Sequence, residues 1–252
     1  MLKLNSMLKL TRKTKKVERP VIRLEDAPFA VVEAYKTLRA NIQFTSVGRQ
    51  VKKIIFTSAN PLEGKTSVSV NLAITLGQAG SKVLLIDSDL RKPRVHKILN
   101  IHSSPGLTNV LVKATDIKSA IRKIEGCNID VLTCGPIPPN PSELLGSKEM
   151  QQLLESVDQE YDFIILDTPP AMFMSDAAVL SKYADGVVIV ILQGSTTFDM
   201  VEKVKENLEN AGANLLGCVL NDVKMEEGSR YHYKSKYGYY NTYYHYYGED
   251  KK

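Results

Sequence analysis

One nine-residue stretch limits the possible folds more than any other: Ser58-Ala-Asn-Pro-Leu-Glu-Gly-Lys-Thr66. It follows an apolar β-rich run, Ile54–Thr57, and opens a helical pattern over Thr66–Ala79. Its spacing is GxxxxGK[ST], with Ala59 in the place of the first glycine. A strand, a tight loop and a helix start, in that order, aim successive backbone N–H groups and the positive end of a helix dipole at one point. That is what a bound phosphate requires. The expected nucleotide contacts are Ala59, Asn60, Pro61, Leu62, Glu63, Gly64, Lys65, Thr66 and Ser67. Lys65 is expected to span the β- and γ-phosphates and the Thr66 hydroxyl to ligate Mg²⁺. Leu62 stands where many such loops carry glycine.

The pattern after this loop alternates. Further strands are expected at Val83–Asp87, Ile129–Thr133, Phe163–Asp167, Val187–Leu192 and Leu215–Leu220. Helices are expected at Glu149–Val157, Asp176–Lys182 and Thr197–Asn210. Several strands are continuous Ile/Val/Leu runs, as expected when helices cover both faces of a sheet. The class is therefore α/β, a mostly parallel sheet flanked by helices, with right-handed crossovers. Gly80 and Gly212 sit where helix C-caps are needed. Upstream, Val31, Val32, Tyr35, Leu38 and Ile42 share one helical stripe over 31–44.

Two of the strands end in acids. Val83-Leu-Leu-Ile-Asp87-Ser-Asp89-Leu-Arg91 carries two carboxylates just past a buried strand, and Phe163-Ile-Ile-Leu-Asp167-Thr-Pro-Pro170 carries a third. Ligands of parallel sheets bind beyond the strands' carboxyl ends, so Asp87, Asp89 and Asp167 can converge on the Mg²⁺ of a nucleotide. Mg²⁺ needs only one or two carboxylates. A spare one can take a proton from a nucleophile, and either Asp87 or Asp89 qualifies.

Charge is uneven. Residues 1–23 hold eight Lys/Arg and one acid, formally +7, and the rest of the chain is near −2. A near-neutral body does not suggest nucleic-acid binding. The three cysteines form no CxxC pair and the four histidines show no metal spacing, which points to a reducing cytoplasm. The longest strongly apolar run, Val187–Leu192, is far short of the ~20 residues of a membrane span. Three regions are expected: a basic arm over 1–28, a phosphate-binding domain over 29–225, and a tail over 226–252. That tail holds nine of the 12 tyrosines: Tyr231, Tyr233, Tyr237, Tyr239, Tyr240, Tyr243, Tyr244, Tyr246 and Tyr247. It has almost no aliphatic residue and is expected to be flexible.

Together these motifs resemble the bacterial tyrosine kinases of capsule and exopolysaccharide synthesis, from about Ala30 to the tail. The phosphate loop matches at Ala59–Thr66, the DxDxR motif at Leu84–Arg91, the DxxP motif at Ile164–Pro169, and the tyrosine cluster at the C-terminus. The family's helical ExxRxxR oligomerisation motif falls on Glu33, Lys36 and Arg39, with lysine in the middle. Lysine keeps the charge but loses the planar two-pronged fork. A local Glu33–Lys36 helix pair is the alternative reading of that segment.

The resemblance implies a P-loop NTPase fold and an ATP- and Mg²⁺-dependent protein-tyrosine kinase that phosphorylates its own tail. It implies the Gram-positive split arrangement: a cytoplasmic chain recruited to the inner face of the membrane by a transmembrane adaptor that completes the nucleotide site. It also implies a ring-like homo-oligomer and a tyrosine phosphatase as partners. Arg91 is expected to hold a phosphate or an acid of its motif, and Asn221 matches the position where related folds hold adenine. The rival is a partition or division-site ATPase, acting as a nucleotide-dependent switch or scaffold. Such proteins usually carry an extra lysine where this chain has Asn60, and they lack a tyrosine cluster.

Overall fold

The computed structural model describes residues 27–45 and 51–223. Nearly all of the basic arm, and the tail with its nine tyrosines, lie outside the described residues.

In chain order the elements are α1 (Phe29–Thr45), β1 (Lys53–Ser58), α2 (Lys65–Gln78) and β2 (Val83–Asp87), then α3 (Val95–Ile98), α4 (Leu107–Leu111) and α5 (Ile117–Ala120). These are followed by β3 (Arg122–Ile124), β4 (Ile129–Leu132), α6 (Pro141–Leu145), α7 (Lys148–Val157) and β5 (Phe163–Asp167). The last four are α8 (Asp176–Ser181), β6 (Gly186–Leu192), α9 (Phe198–Asn210) and β7 (Leu215–Asn221). The seven strands form one sheet in the order β3-β4-β2-β5-β1-β6-β7, parallel except for the β3–β4 pair.

Period-2 alternation divides the apolar strand residues between two cores. On β1, Ile54 and Phe56 face one side and Ile55 the other; on β2, Val83 and Leu85 oppose Leu84 and Ile86. One core packs these residues against α2 through Val68, Leu72 and Leu76, with Ile42 of α1 over it. The other packs against α7, α8 and α9 through Leu153, Leu154, Leu180, Val204 and Leu208. Each fully buried Leu or Ile is worth about 1.5–3 kcal/mol over leaving it in water. The sheet's centre is therefore rigid enough to hold charges at its strand ends.

The expected six strands are present, within one residue at either end. β3 was not anticipated: Arg122-Lys-Ile124 is polar, short and half exposed, as an edge strand can be. Both glycine caps act as expected. After α2, Gly80 (φ 95°) donates to Gly77 O at 3.0 Å and Ser81 to Leu76 O at 3.2 Å. After α9, Gly212 (φ 80°) donates to Glu209 O at 2.9 Å and Ala213 to Leu208 O at 3.0 Å. Both are the Schellman pattern. At Gly77 the constraint is space, because a Cβ there would collide with the Cys127 carbonyl and the Ile129 side chain. Among the described residues no helix is long and apolar enough to cross a membrane.

Candidate active site

The phosphate loop leaves the buried end of β1 and turns through two left-handed residues, Leu62 (φ 69°) and Gly64 (φ 90°), before α2 begins at Lys65. Leucine pays about 1–3 kcal/mol for that conformation, so Leu62 performs, under strain, the turn that glycine makes in other loops. The loop is tied from behind by Glu63, whose side chain is almost wholly buried. Its carboxylate accepts the Asn60 amide at 2.9 Å, Asn60 Nδ2 at 3.2 Å and Thr196 Oγ1 at 2.6 Å. Its carbonyl accepts Asn221 Nδ2 at 2.9 Å. The motif marks Glu63 as one more loop position; its carboxylate is the loop's anchor.

The three acids do meet. Asp87 and Asp167 are Cα partners across the β2–β5 ladder, both fully buried. Lys65 Nζ lies 3.0 Å from Asp89 Oδ2 and 3.6 Å from Asp167 Oδ2. Asp89 is well occupied: its Oδ1 accepts the Arg91 and Lys92 amides at 3.3 and 2.9 Å. Asp87 is not. Its Oδ2 accepts the Val95 amide at 3.1 Å, and its Oδ1 is buried without a hydrogen-bond partner, as are Asp167 Oδ2 and the Ser88 hydroxyl. Asp167 Oδ1 accepts from Ser69 Oγ at 3.3 Å, a contact no sequence motif indicated.

Burial, then the facing Asp167 charge, push the Asp87 carboxyl well above the ordinary range, against the opposing pull of Lys65. Burial raises Asp167 as well, and Lys65 again opposes it. Burial alone would lower the Lys65 ammonium, but Asp167 and Asp89 outweigh it and the net direction is upward. The nearby Cys134 thiol is raised to about 12, by burial and then by Asp87 and Asp89, so it stays protonated at neutral pH.

Among the described residues, no group of three or more His, Cys, Asp and Glu makes a metal site by itself. The donor set nevertheless fits Mg²⁺ brought in by a nucleotide, because phosphate oxygens and waters fill most of that ion's shell. The Asp167 carboxylate, whose Oδ2 meets the Lys65 ammonium at 3.6 Å but has no hydrogen-bond donor, and the neighbouring Thr66 hydroxyl are hard donors. Buried polar atoms left this way cost stability, and one explanation of such atoms is an absent ion.

Other expected site residues have partners of their own. Arg91 turns to Asp176, an acid outside its motif, with Nε 3.2 Å from Oδ2, and it donates to Ser142 Oγ at 2.9 Å. Asp176 is fully buried and comes 85 residues later in the chain. Asn221 is the last residue of β7 and not a residue beyond it, and its amide nitrogen serves the phosphate loop. On α1, Lys36 pairs with Glu33 at 2.7 Å, the local alternative seen in the sequence, and Arg39 donates to the Thr75 carbonyl at 3.2 Å.

The chain is matched over residues 51–215 by a family model described as an AAA domain. It is 43% identical to tyrosine-protein kinase YwqD of Bacillus subtilis (strain 168) over 227 residues, which is 90% of this chain and 93% of that one. Among solved structures, the chimerical protein CapA2B2 superposes with a TM-score of 0.76 at 38% identity, covering 81% of this chain and 88% of that one. The septum site-determining protein MinD of Pyrococcus horikoshii OT3, solved with Mg-ADP, shares the fold more distantly. Its TM-score is 0.58 at 25% identity, over 67% of this chain and 69% of that one.

Proposed function

The chain belongs to the bacterial tyrosine-protein kinases, and from that premise we propose that it transfers the γ-phosphoryl group of ATP to the tyrosines of its own C-terminal segment. The observation that carries the site assignment is the pair of buried strand-end carboxylates beside Lys65, one of them with an oxygen that nothing engages. Asp87 is the base. Asp89 is committed to Lys65 and two amides, whereas Asp87 has a free Oδ1 and a raised affinity for protons. The acceptor phenol, with a pKa near ~10, benefits from such a group.

In the transfer step the tyrosine oxygen bonds to the γ-phosphorus as the bond to the bridging oxygen of ADP breaks. The phenolic proton passes to Asp87. Lys65 exchanges its carboxylate partners for phosphate oxygens and offsets the charge that moves onto ADP. Thr66 and Asp167 are the residues that would hold Mg²⁺, which supplies further neutralisation when bound. Glu63, Thr196 and Asn221 keep the loop's amides in place throughout.

The substrate reading rests on the tail. A stretch of 24 residues, the number from Ser229 to Lys252, is long enough to cover roughly 25–30 Å, the scale of a step to a neighbouring copy in a ring. Tethering raises the local concentration of acceptors, so nine closely spaced tyrosines need no strict sequence specificity. Residues 229–252 are formally +3, and each phosphate adds about −1.5 to −2. Phosphorylation therefore disfavours the closed ring, and native mass spectrometry would show the oligomer shrinking as tyrosines are modified. Activation by a transmembrane adaptor, reversal by a tyrosine phosphatase and control of polysaccharide synthesis and export complete the reading.

The experiment is transfer of radiolabelled γ-phosphate in the purified protein, with and without the cytoplasmic peptide of a candidate adaptor. A Lys65→Met variant and a chain ending at Glu227 run beside it. Label on tail tyrosines that both controls lack supports the reading. Hydrolysis of ATP without tyrosine label, even with the adaptor peptide, returns the chain to the nucleotide-switch class.

A further inference from the structure

Beside the acids, at the carboxyl ends of β2 and β4, lies a cleft of about 490 Å³ that the phosphoryl-transfer reading does not use. Its wall is the segment Arg91–Lys97 facing Ser103 and the Gly135–Ile137 turn, and it contains no acid. Among the described residues, the side chains of Lys92, Arg94 and Lys97 are exposed and have no carboxylate partner. His96, on the same wall, keeps a buried Nδ1 without a partner. Pro93, Pro136 and Ile137 give the cleft an apolar rim, with Ile137 62% exposed.

Three unpaired cations framed by aliphatic surface suit a dianion carried on a flat apolar group. We propose that this cleft binds phosphotyrosine, namely an already modified residue of the C-terminal segment. The inference rests on the kinase reading above for the source of the ligand. Charge-assisted bonds from Lys92, Arg94 and Lys97 hold the phosphate, and the rim covers the ring.

Strand spacing gives the geometry. In the order β4-β2-β5-β1, the cleft lies two to three strands from the phosphate loop. At ~4.8 Å per strand that is about 10–15 Å. Extended chain covers this in three to four residues. Tyr240, Tyr243 and Tyr247 recur at that interval, as do Tyr233 and Tyr237. A phosphotyrosine held in the cleft thus sets the next tyrosine at the phosphate loop, where the γ-phosphoryl group lies, and the cluster is modified in runs.

The test is fluorescence anisotropy with the phosphatase-treated full chain and a labelled peptide of residues 238–248, phosphorylated at Tyr243 or unmodified. Saturating Mg-ADP keeps the phosphate loop filled. The phosphopeptide is expected to bind at least ~10-fold more tightly than the unmodified one, and the Arg94→Glu, Lys97→Glu variant to erase that preference. Phenyl phosphate is expected to displace it at lower concentration than inorganic phosphate. Unchanged Mg-ADP affinity shows that the variant is folded; where it falls, the Arg94→Ala, Lys97→Ala pair replaces it. Equal binding of the two peptides, an unaltered preference in the variants, or loss of the phosphopeptide on adding Mg-ADP overturns the inference. Because the peptide is synthetic, binding requires no catalysis. A chain that binds it but transfers nothing loses the kinase reading alone, and a chain that transfers without preference loses only the cleft.

Discussion

At the amino ends of the central strands, Asp185 receives the Lys52 and Lys53 amides at 2.9 and 2.6 Å, Asp162 receives the Lys82 amide at 2.7 Å, and Asp158 lies 2.7 Å from the Lys53 ammonium. At the carboxyl ends of β2 and β5, Asp87 and Asp167 are fully buried, face one another, and each keeps an oxygen with no hydrogen-bond partner. The residue type and the strands' neighbourhood are the same at both ends. The difference lies in solvent and partners. Acids at one end close the ladder and help the fold, while the burial of those at the other end opposes it.

The largest effect that tests this contrast is at Lys65. Lys65→Met is expected to lower phosphoryl transfer by about 10³-fold or more. It should also lower the melting temperature, because Asp89 and Asp167 lose their cation. A variant that kept its transfer rate would remove Lys65 from the chemistry.

Asp87→Asn should split the two properties. Transfer is expected to fall by about 10²–10⁴-fold, the usual worth of a general base. Stability of the nucleotide-free protein should rise by about 1 kcal/mol at neutral pH. The sign follows from the raised carboxyl: the fold prefers the protonated acid, so the native chain loses stability as pH rises from the unfolded value near ~4 through the folded one. Melting curves should therefore show the variant's advantage at pH 7.5 and little of it near pH 4. A destabilised variant at neutral pH would mean that the burial is compensated.

At the opposite end the same kind of change should do the reverse. Asp185→Ala leaves the Lys52 and Lys53 amides without their acceptor and is expected to cost about 1–3 kcal/mol in denaturant unfolding, with transfer per folded molecule unchanged. The smallest effect is at Asp158, whose carboxyl is held below its usual range first by the hydrogen bond from Lys53 and then by the charges of Lys53 and Lys52. Asp158→Asn should cost at most ~1 kcal/mol above pH ~4, and the difference should vanish as pH falls through the folded value of the native acid.

The sequence made one of the two ends legible. Continuous apolar runs located the buried strands, and a glycine-lysine-threonine loop with acids after two of those runs located the site, because both signals are local. What stayed hidden depends on partners distant in the chain or on elements too short to show a period. The helices Val95–Ile98 and Ile117–Ala120 have four residues each, about one turn, and Arg122–Ile124 has only a polar tripeptide to mark it. Arg91 carries no sign that Asp176 will hold it, nor Glu63 that Thr196 and Asn221 will. The amino-end acids carry no motif, because their partners are backbone amides and lysines distant in the chain.

The anchoring of Glu63 also bears on how the chain matures on the ribosome. The loop is among the first parts of the domain to emerge, yet its ties reach 133 residues onward to Thr196 and 158 residues onward to Asn221. β1 must likewise wait for β5 and β6, its two neighbours in the sheet. The phosphate cradle is therefore set only when synthesis has passed the last strand, so a nascent chain arrested before residue 221 has its loop sequence complete but not its anchor. Domains fold as units, and in this one the nucleotide site is the part whose completion reports that the unit is whole.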